Sequence, residues 1–541
     1  MNNNFLLEIK SPDITPQIVQ KSIFPEIGLP HKVELSNESH QLIGYFSSFE
    51  DRFHHIKLLD EVEKHGFKRI INSNSVFLLF FFDKDNQTLS VAVDQFLSFS
   101  CYFSVYDSKL VFSSAFGTIK NQLHLSQALK LDPDFLISHL LWEWPNSDHT
   151  LIQQIKIIPG GCQATFDLKN LRHLKTQSLL DLDAFYGSFQ PKSYSSLEKF
   201  SVDWLNLLNE VVERRVSQIP KSFGAGCDIS SGFDCTMVSY CLSRIQPRGG
   251  FTGFSNYSKI MGDENSPEVV KRFAHKQQIN LKQFDYTSHT LHQNDLGHDW
   301  PLDQAVNPFI YVHHQEYINF LKENGVRILF TGEYGDEAYD MKKMELFSRF
   351  PIQRGYFDSL ITLKRRQKED FFTPASQELF LNQDRFKNRG YFPLIVPSKS
   401  AACYLPLVEA YASGGITRIH PFSDTRLLEL SRQAPLPPGA EIDQVKALLM
   451  PFFKTIMPEN YISISNAGEP FLMMFINQKQ FVKKILSRSV LAEIGIIDPD
   501  VISRYVDDPM SDLHTDTSYQ RAMQLYPIIY LDWYLQKNEI N

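Results

Sequence analysis

The chain has 541 residues and a formal net charge of −8, with 43% apolar and 21% charged residues. This length exceeds what one hydrophobic core supports, so two or three domains are expected. The negative charge weighs against a nucleic-acid partner, and the longest apolar run, Val76–Phe82, is far below the ~20 residues of a membrane helix. Glu8 and Lys10 fall where a signal peptide needs an apolar core. We therefore expect a globular cytoplasmic protein.

The cysteines form no CxxC pair and have no histidine at zinc-ligand spacing, which favours reduced core residues over disulfides. They are Cys101, Cys162, Cys227, Cys235, Cys241 and Cys403.

Residues 1–190 show a strand-rich pattern that predicts an α+β domain. Runs at 76–83 and 89–94 flank a polar turn, and runs at 101–106 and 109–114 flank Asp107-Ser108, so two hairpins are expected. A capped helix is predicted over 132–144, followed by a turn at 157–161 before a last strand pair. The polar stretch 191–197 is the best domain boundary, and residues 191–541 form the second predicted domain.

The first chemically informative stretch follows a predicted strand at Phe223–Ile229. Ser230–Gly232 form a small polar turn, and apolar residues then repeat at helical spacing until Pro247. Unpaired N–H groups at a helix start attract an anion, and Gly232 lets the backbone approach it. Asp234 in the first turn suits a magnesium ion on a phosphate. An ordinary strand–turn–helix corner with a serine cap is equally compatible with this stretch alone.

A second stretch favours the phosphate-binding interpretation over the ordinary corner. The predicted buried strand 326–331 continues into Gly332–Glu337. Ligands of open parallel sheets bind beyond the carboxyl ends of the strands, so two such loops can meet over one nucleotide. A solvated acidic turn is the alternative for its carboxylates.

The two loops together resemble the Ser-Gly-Gly-x-Asp-Ser pyrophosphate loop and the Gly-Glu-x-x-Asp-Glu loop of the asparagine synthetase family. We call Ser230–Thr236 the first loop and Gly332–Glu337 the second loop. The resemblance implies a parallel-sheet, Rossmann-like ATP-pyrophosphatase domain within an α/β fold. Its implied nucleotide-binding residues are Ser230, Ser231, Gly232, Asp234, Cys235, Thr236, Phe254 and Gly332. Its implied catalytic residues are Glu333, Asp336, Glu337 and Lys446, with Asp234 and Asp336 as the ligands of Mg²⁺.

The amino-terminal region resembles the glutaminase half of the same family, an Ntn-type sandwich, in its strand order and at Asp94. The family's glutaminase uses an amino-terminal cysteine as nucleophile. Asn2 stands at that position, and the first cysteine is Cys101. We therefore expect an inactive scaffold or docking domain here.

The segment 416–430 resembles the family's Gly-Leu-Glu-x-Arg-x-Pro-Phe-Leu-Asp motif. Pro421, Phe422 and Asp424 match, whereas Thr417 and Ile419 replace the Glu and Arg, with Arg418 displaced by one position. The family's later Arg-x-Lys has no counterpart at 463–466. The fold resemblance thus covers nearly the whole chain, whereas the residues that handle the acyl acceptor differ from those of the family.

These observations predict an ATP-dependent ligase that adenylates a carboxylate and joins it to an amine. The subfamily that the chain most resembles is the lasso-peptide cyclases, which close an Asp or Glu side chain onto the N-terminus of a precursor peptide. That class implies ATP and Mg²⁺ as cofactors, the precursor peptide as partner, and a leader-peptide protease acting beside it. Ammonia-dependent asparagine synthesis, β-lactam synthesis and a catalytically inactive peptide- or nucleotide-binding protein remain as alternatives. An RNA-thiolating enzyme is disfavoured because paired reactive cysteines and a basic surface are missing from the sequence.

Overall fold

A computed structural model describes most of the chain with its side chains. The described residues are 5–10, 31–48, 57–71, 75–96, 98–125, 127–132, 135–136, 140, 148–179, 194, 196–220, 223–245, 250–257, 266–285, 314–335, 370–381, 407–431, 433–434, 442–456, 479–507 and 516–538.

Fifteen strands form three sheets in the described part of the chain. Those of the amino-terminal region are β1 (Leu6–Lys10), β2 (His31–Ser36), β3 (His40–Ser48), β4 (Ser75–Asp83), β5 (Thr88–Val93), β6 (Tyr102–Tyr106), β7 (Lys109–Ser113), β8 (Lys156–Ile157), β9 (Cys162–Asp167) and β10 (Arg172–Ser178). The later strands are β11 (Gly224–Asp228), β12 (Thr252–Tyr257), β13 (Asn280–Asp285), β14 (Val326–Phe330) and β15 (Thr417–Ile419).

The helices follow the same chain order. They are α1 (Leu58–His65), α2 (Lys68–Ile71), α3 (Phe116–His124), α4 (Leu197–Ser217), α5 (Phe233–Ile245), α6 (Ser266–Lys276), α7 (His314–Glu323), α8 (Pro374–Leu381), α9 (Thr425–Ser431), α10 (Ile442–Ile456), α11 (Lys479–Leu486), α12 (Val490–Glu493), α13 (Pro499–Asp507) and α14 (Asp516–Lys537).

The amino-terminal region contains two antiparallel sheets, one in the order β10-β9-β5-β4-β3-β2 and one in the order β1-β7-β6-β8. Both predicted hairpins are present, and Asp107 and Ser108 have the positive φ angles that a tight two-residue hairpin turn requires. Phenylalanines join the two sheets: Phe80 of β4 meets Phe112 of β7 edge to face at 5.3 Å, and Phe112 meets Phe166 of β9 at 5.1 Å. The high phenylalanine content therefore fills this interlayer core. The helix predicted over 132–144 lies largely outside the described residues.

The third sheet is parallel throughout, in the order β13-β12-β11-β14-β15. The chain is accordingly a mixed α/β protein. Strand β11 lies at the centre of this sheet and is buried from Gly226 to Cys227. The carboxyl ends of β11 and β14 are neighbours, which places the first and second loops at one edge of the sheet.

The amino-terminal sheets and the carboxyl-terminal helices share one hydrophobic cluster, which runs from Phe5 to Leu535. Polar contacts also cross between these regions. Tyr102 donates a 2.6 Å hydrogen bond to Glu409, and Lys120 donates one of 2.7 Å to Asn538 of the carboxyl-terminal helix region. Within the described segments, no helix combines the length and apolar character needed to cross a bilayer. The domain boundary at 191–197 stays a prediction.

Candidate functional site

The first and second loops contact each other backbone to backbone at the carboxyl edge of the parallel sheet. Cys227 of β11 is in register with Phe330 of β14, so both strands leave the sheet together. A Cβ added to Gly332 would lie 2.3 Å from the backbone nitrogen of Cys235. A Cβ added to Gly335 would lie 2.3 Å from the Asp234 carboxyl carbon. Only glycine permits this approach, because real Cβ contacts stay beyond about 3 Å.

The first loop is held by hydrogen bonds of its own. The Gly232 N–H donates to Ser230 Oγ at 3.0 Å, and the Thr236 hydroxyl lies 2.9 Å from the Ser230 carbonyl and 2.7 Å from that of Gly232. Thr236 is fully buried, so its hydroxyl stabilises the loop from beneath. Ser230 and Ser231 are half-buried. Helix α5 begins at Phe233, directly after the turn, as the sequence predicts.

Asp234 lies in the first turn of α5, with its carboxyl group against Gly335 of the second loop. A carboxylate oxygen at a loop junction suits Mg²⁺, which binds through one or two carboxylates together with phosphate oxygens and water. Asp336 and Glu337, which follow in the second loop, lie outside the described residues. Over the part of the chain that the structure covers, no three His, Cys, Asp or Glu side chains cluster as metal ligands do.

Cys235 occupies the position of the motif's last serine. Burial, and secondarily the nearby carboxylate of Asp228, raise the pKa of its thiol to about 12. The residue is accordingly a neutral thiol at physiological pH, a poor nucleophile and metal ligand.

Phe254 of β12 lies beneath the first loop and is fully buried. Its carbonyl accepts a 2.7 Å hydrogen bond from the Ile229 N–H. Its ring covers Gly226, where an added Cβ would come within 2.8 Å of it. The Phe254 peptide thus fixes the chain where it enters the first loop.

Glu333 forms an ion pair with the buried Arg418, so the solvated acidic turn considered above does not describe this residue. An Arg418 Nη2 group donates to Glu333 Oε1, and the exposed fractions of the two side chains are 6% and 19%. The guanidinium also lies 4.8 Å from the centre of the Tyr411 ring. Strand β15 pairs with β14, with Ile419 opposite Phe330, and this pairing brings Arg418 to the second loop.

His420 completes the environment of Glu333. Its Nδ1 atom lies 3.3 Å from Glu333 Oε2 and 2.7 Å from the hydroxyl oxygen of Thr331. Burial, followed by the charges of Arg418 and Arg215, holds the pKa of His420 well below its usual value. The imidazole is therefore neutral, and Arg418 supplies the positive charge that balances Glu333.

A second carboxylate, Asp228, ends β11 at the same edge. Its Oδ1 atom accepts a 2.6 Å hydrogen bond from the Tyr317 hydroxyl of α7. Burial raises the pKa of Asp228 to about 6, against the opposing effects of the Tyr317 hydrogen bond and the charge of Arg418. A carboxyl group with a pKa of about 6 can exchange protons near neutral pH.

No sequence motif points to Asp228, Tyr317, Tyr411 or His420 as site residues, and Arg418 stands out in the sequence only as displaced by one position. Asp228 had a usable signal, because it ends the strand that leads into the first loop, with only Ile229 between. Lys446 lies on α10, and the position of its side chain falls outside the described residues. Helix α10 itself packs near the start of α5, where Phe453 lies 4.9 Å from Phe233 between ring centres.

Comparison with known proteins gives no assignment. No protein-family model matches the chain, and no curated protein matches it. Among solved structures, the chain is similar to glutamine phosphoribosylpyrophosphate amidotransferase from B. subtilis, complexed with ADP and GMP, at 9% identity and a TM-score of 0.21, over 62% of this chain and 85% of that one. A structure described as the allosteric regulatory enzyme of purine biosynthesis is similar at 7% identity and a TM-score of 0.20, over 52% of this chain and 74% of that one. Similarity at this level supports no conclusion about function.

Proposed function

We propose that this protein is an ATP-dependent ligase of the asparagine synthetase type, which adenylates a carboxylate and joins it to an amine. The observation that carries the proposal is the contact between the first and second loops, in which Asp234 of the first loop lies against Gly335 of the second. The first and second loops, whose sequences resemble the family's two motifs, meet at the carboxyl ends of parallel strands. Nucleotides bind at this position in open parallel sheets. The proposed substrate is a peptide whose Asp or Glu side chain is closed onto its own N-terminus.

In this proposal the chain positions phosphates and neutralises their charge. The amides at the start of α5 face the pyrophosphate, and Ser230 and Ser231 border it with their hydroxyls. Asp234 would hold Mg²⁺, with Asp336 as the second predicted ligand. The ion, when bound, neutralises charge on the departing pyrophosphate. Cys235 and Thr236 are neutral and contribute to the shape of the first loop.

A proton acceptor is needed in the second half of the reaction, and Asp228 is our candidate. The amine nitrogen attacks the carbonyl carbon of the acyl adenylate, the bond from that carbon to the phosphate oxygen breaks, and AMP leaves. One amine proton must then be accepted. Glu333 is neutralised by Arg418 within an ion pair, whereas the pKa of Asp228 is about 6. We therefore assign proton acceptance to Asp228 and the positioning of the second loop to Glu333.

The test is product analysis with purified protein, MgATP and a set of peptides that carry a free N-terminus and an internal Asp or Glu. We expect AMP and pyrophosphate, together with a peptide lighter by one water. Asp234→Asn should lower the rate by on the order of a hundredfold or more, because it removes a charge that faces the metal and phosphates. Asp228→Asn should retain exchange of pyrophosphate into ATP and lose amide formation.

The alternatives give other results in the same assay. Ammonia-dependent synthesis requires aspartate and ammonium in place of the peptide, and β-lactam synthesis releases AMP with a small amino acid. An inactive binding protein retains MgATP or peptide without releasing AMP. ADP as the main product would refute the proposal.

A further inference from the structure

An aromatic residue of the second loop, Tyr334, contacts the amino-terminal region. Tyr334 lies between Gly332 and Gly335 and is only 2% exposed. Its φ angle is +66°, a conformation that residues other than glycine keep only where their surroundings hold them. Its ring lies 5.8 Å from the ring of Phe96 and 5.0 Å, edge to face, from that of His420.

Phe96 is presented by a rigid turn after β5. The buried carboxyl group of Asp94 accepts hydrogen bonds from the Phe96 N–H at 2.9 Å, and from the N–H and hydroxyl of Ser98 at 3.2 Å each. The Asp94 N–H donates in turn to the Phe77 carbonyl of β4 at 3.0 Å. Phe96 itself is 7% exposed. These hydrogen bonds therefore fix the turn that carries Phe96 to the six-stranded sheet, next to Tyr334.

The residues on both sides of Tyr334 are those that touch the first loop. Gly332 lies against the backbone of Cys235, and Gly335 lies against the carboxyl group of Asp234. Gly335 is bonded to Tyr334 and Gly332 precedes it by two residues, so a displacement of the Tyr334 backbone would be passed to both peptides. The position of the Asp234 carboxylate is thus linked to the position of the Tyr334 ring.

We propose that Phe96 is a positioning residue for the second loop: its ring holds Tyr334 in the left-handed conformation and thereby holds the second loop against Asp234. The amino-terminal region then contributes to the site by packing, and this role is independent of any glutaminase chemistry. The consequence for nucleotide binding rests on the proposed function. The consequence for the loop itself does not.

The test is hydrogen–deuterium exchange of the peptide that covers residues 331–335, in the full-length protein without nucleotide. Glu333 and Gly335 N–H groups are bonded to Thr331 Oγ1 and the Gly332 carbonyl, so they report on the loop directly. In Phe96→Ala we expect exchange of this peptide to be about three- to tenfold faster, the range expected from losing an aromatic pair. Phe96→Leu keeps an apolar side chain and guards against a folding defect. It should also speed exchange of this peptide, but by less than Phe96→Ala does.

The matched control is Phe99→Ala. Phe99 stacks on Tyr45 at 5.1 Å within the amino-terminal region, so its removal deletes the same atoms three positions away. Exchange at 331–335 should be unchanged in this variant. Equal exchange at 331–335 in Phe96→Ala and Phe99→Ala would show Phe96 to be an ordinary core residue, as would a uniform increase across the whole chain.

A second measurement carries the inference to the site. The dissociation constant of MgATP, measured by calorimetry, should rise about three- to tenfold in Phe96→Ala and stay constant in Phe99→Ala. Absence of MgATP binding by the unaltered protein would refute the proposed function, and the exchange measurement alone would then decide the role of Phe96. Binding of MgATP with equal affinity by all variants would refute the link to Asp234.

Discussion

Glu333 and Arg418 illustrate how burial decides what a charged residue can do. Two charges taken out of water recover their desolvation cost only through close pairing, and each becomes costly when the other is removed. The Arg418 side chain is 6% exposed and its guanidinium also covers the Tyr411 ring. A carboxylate paired in this way is suited to holding a loop.

We predict that Arg418→Met lowers the free energy of unfolding by about 3–5 kcal/mol, because it leaves Glu333 buried beside a neutral histidine. The double variant with Glu333→Gln should cost less than the sum of the single variants. The control is Lys271→Met, which removes the partner of Glu268 in an ion pair whose side chains are 52% and 63% exposed. Chemical denaturation should show a change below about 1 kcal/mol for the control. A similarly small change for Arg418→Met would contradict the structural importance of the pair.

Asp94 provides a prediction about pH. Burial raises the pKa of its carboxyl group to about 7 in the folded protein, against about 3.9 for an unfolded chain. Between these values the folded protein holds a proton that the unfolded chain has released. The contribution to stability is therefore fully present below about pH 4 and is lost as the pH rises through 7.

We expect Asp94→Asn to remove this dependence, because the amide stays neutral and its oxygen still accepts the Phe96 N–H. The free energy of unfolding of the unaltered protein should fall, relative to that of the variant, by up to roughly 1.4 kcal/mol per pH unit between pH 5 and 7. Urea denaturation at several pH values measures it. Parallel curves for the two proteins would show that the Asp94 carboxyl ionises normally.

At the scale of elements, the site is made by the neighbouring strands β11 and β14, which end together and bring two loops into contact. At Gly332, an added Cβ would meet backbone atoms of Cys235 and Asp234 at 2.3–2.8 Å. Gly232 differs, since the nearest atom to an added Cβ is Ser230 Oγ at 3.1 Å, at the end of a side chain. The two glycines thus tolerate a methyl group unequally.

Gly332→Ala should therefore separate the loops and destabilise the protein by about 1–3 kcal/mol, the usual cost of overpacking. Gly232→Ala should change stability by less than about 1 kcal/mol, because the serine side chain can rotate away and alanine restricts the unfolded chain. Thermal unfolding of both variants is the measurement. If Gly332→Ala were as stable as Gly232→Ala, the two loops would not be packed as described.

The sequence predicted those parts of the site whose cause is local. The strand predicted at Phe223–Ile229, which is found at Gly224–Asp228, follows from a pattern within about twenty residues. So do the small residues of the first loop, the helix that follows them and the two hairpins. The pairing of Glu333 with Arg418 could not be predicted, because it depends on β15 lying beside β14 in one register, 85 positions apart in sequence. In a strand a shift of one position reverses the side on which a residue lies, so Arg418 was noted only as out of place. Tyr317 and Tyr411 had no local signal, since their role depends on how α7 and the segment before β15 pack around Asp228 and Arg418.

At the scale of the whole molecule, the amino-terminal region and the parallel-sheet region are joined by apolar and polar contacts. One hydrophobic cluster extends from Phe5 to Leu535. The Tyr102 hydroxyl donates across the junction to Glu409 at 2.6 Å, and both residues are buried. A contact of this kind contributes to the stability of both regions together, because neither partner keeps it when the other region unfolds.

The last prediction is that the two regions unfold as one cooperative unit, and that Tyr102→Phe lowers the temperature of that single transition. The substitution keeps the ring, which packs edge to face on Phe116 at 5.6 Å, and removes only the hydroxyl that reaches Glu409. Loss of a hydrogen bond to a buried carboxyl group should cost about 1–3 kcal/mol, a shift of roughly one to a few degrees in a protein of this size. Tyr106→Phe is the control, because its hydroxyl donates to Gln122 within the amino-terminal region and both residues are only partly buried. Scanning calorimetry should show one shifted transition for Tyr102→Phe and a smaller shift for Tyr106→Phe. Two separated transitions, with only the amino-terminal one moved by Tyr102→Phe, would mean that the regions fold independently and that the amino-terminal sheets do not support the loops around Asp234.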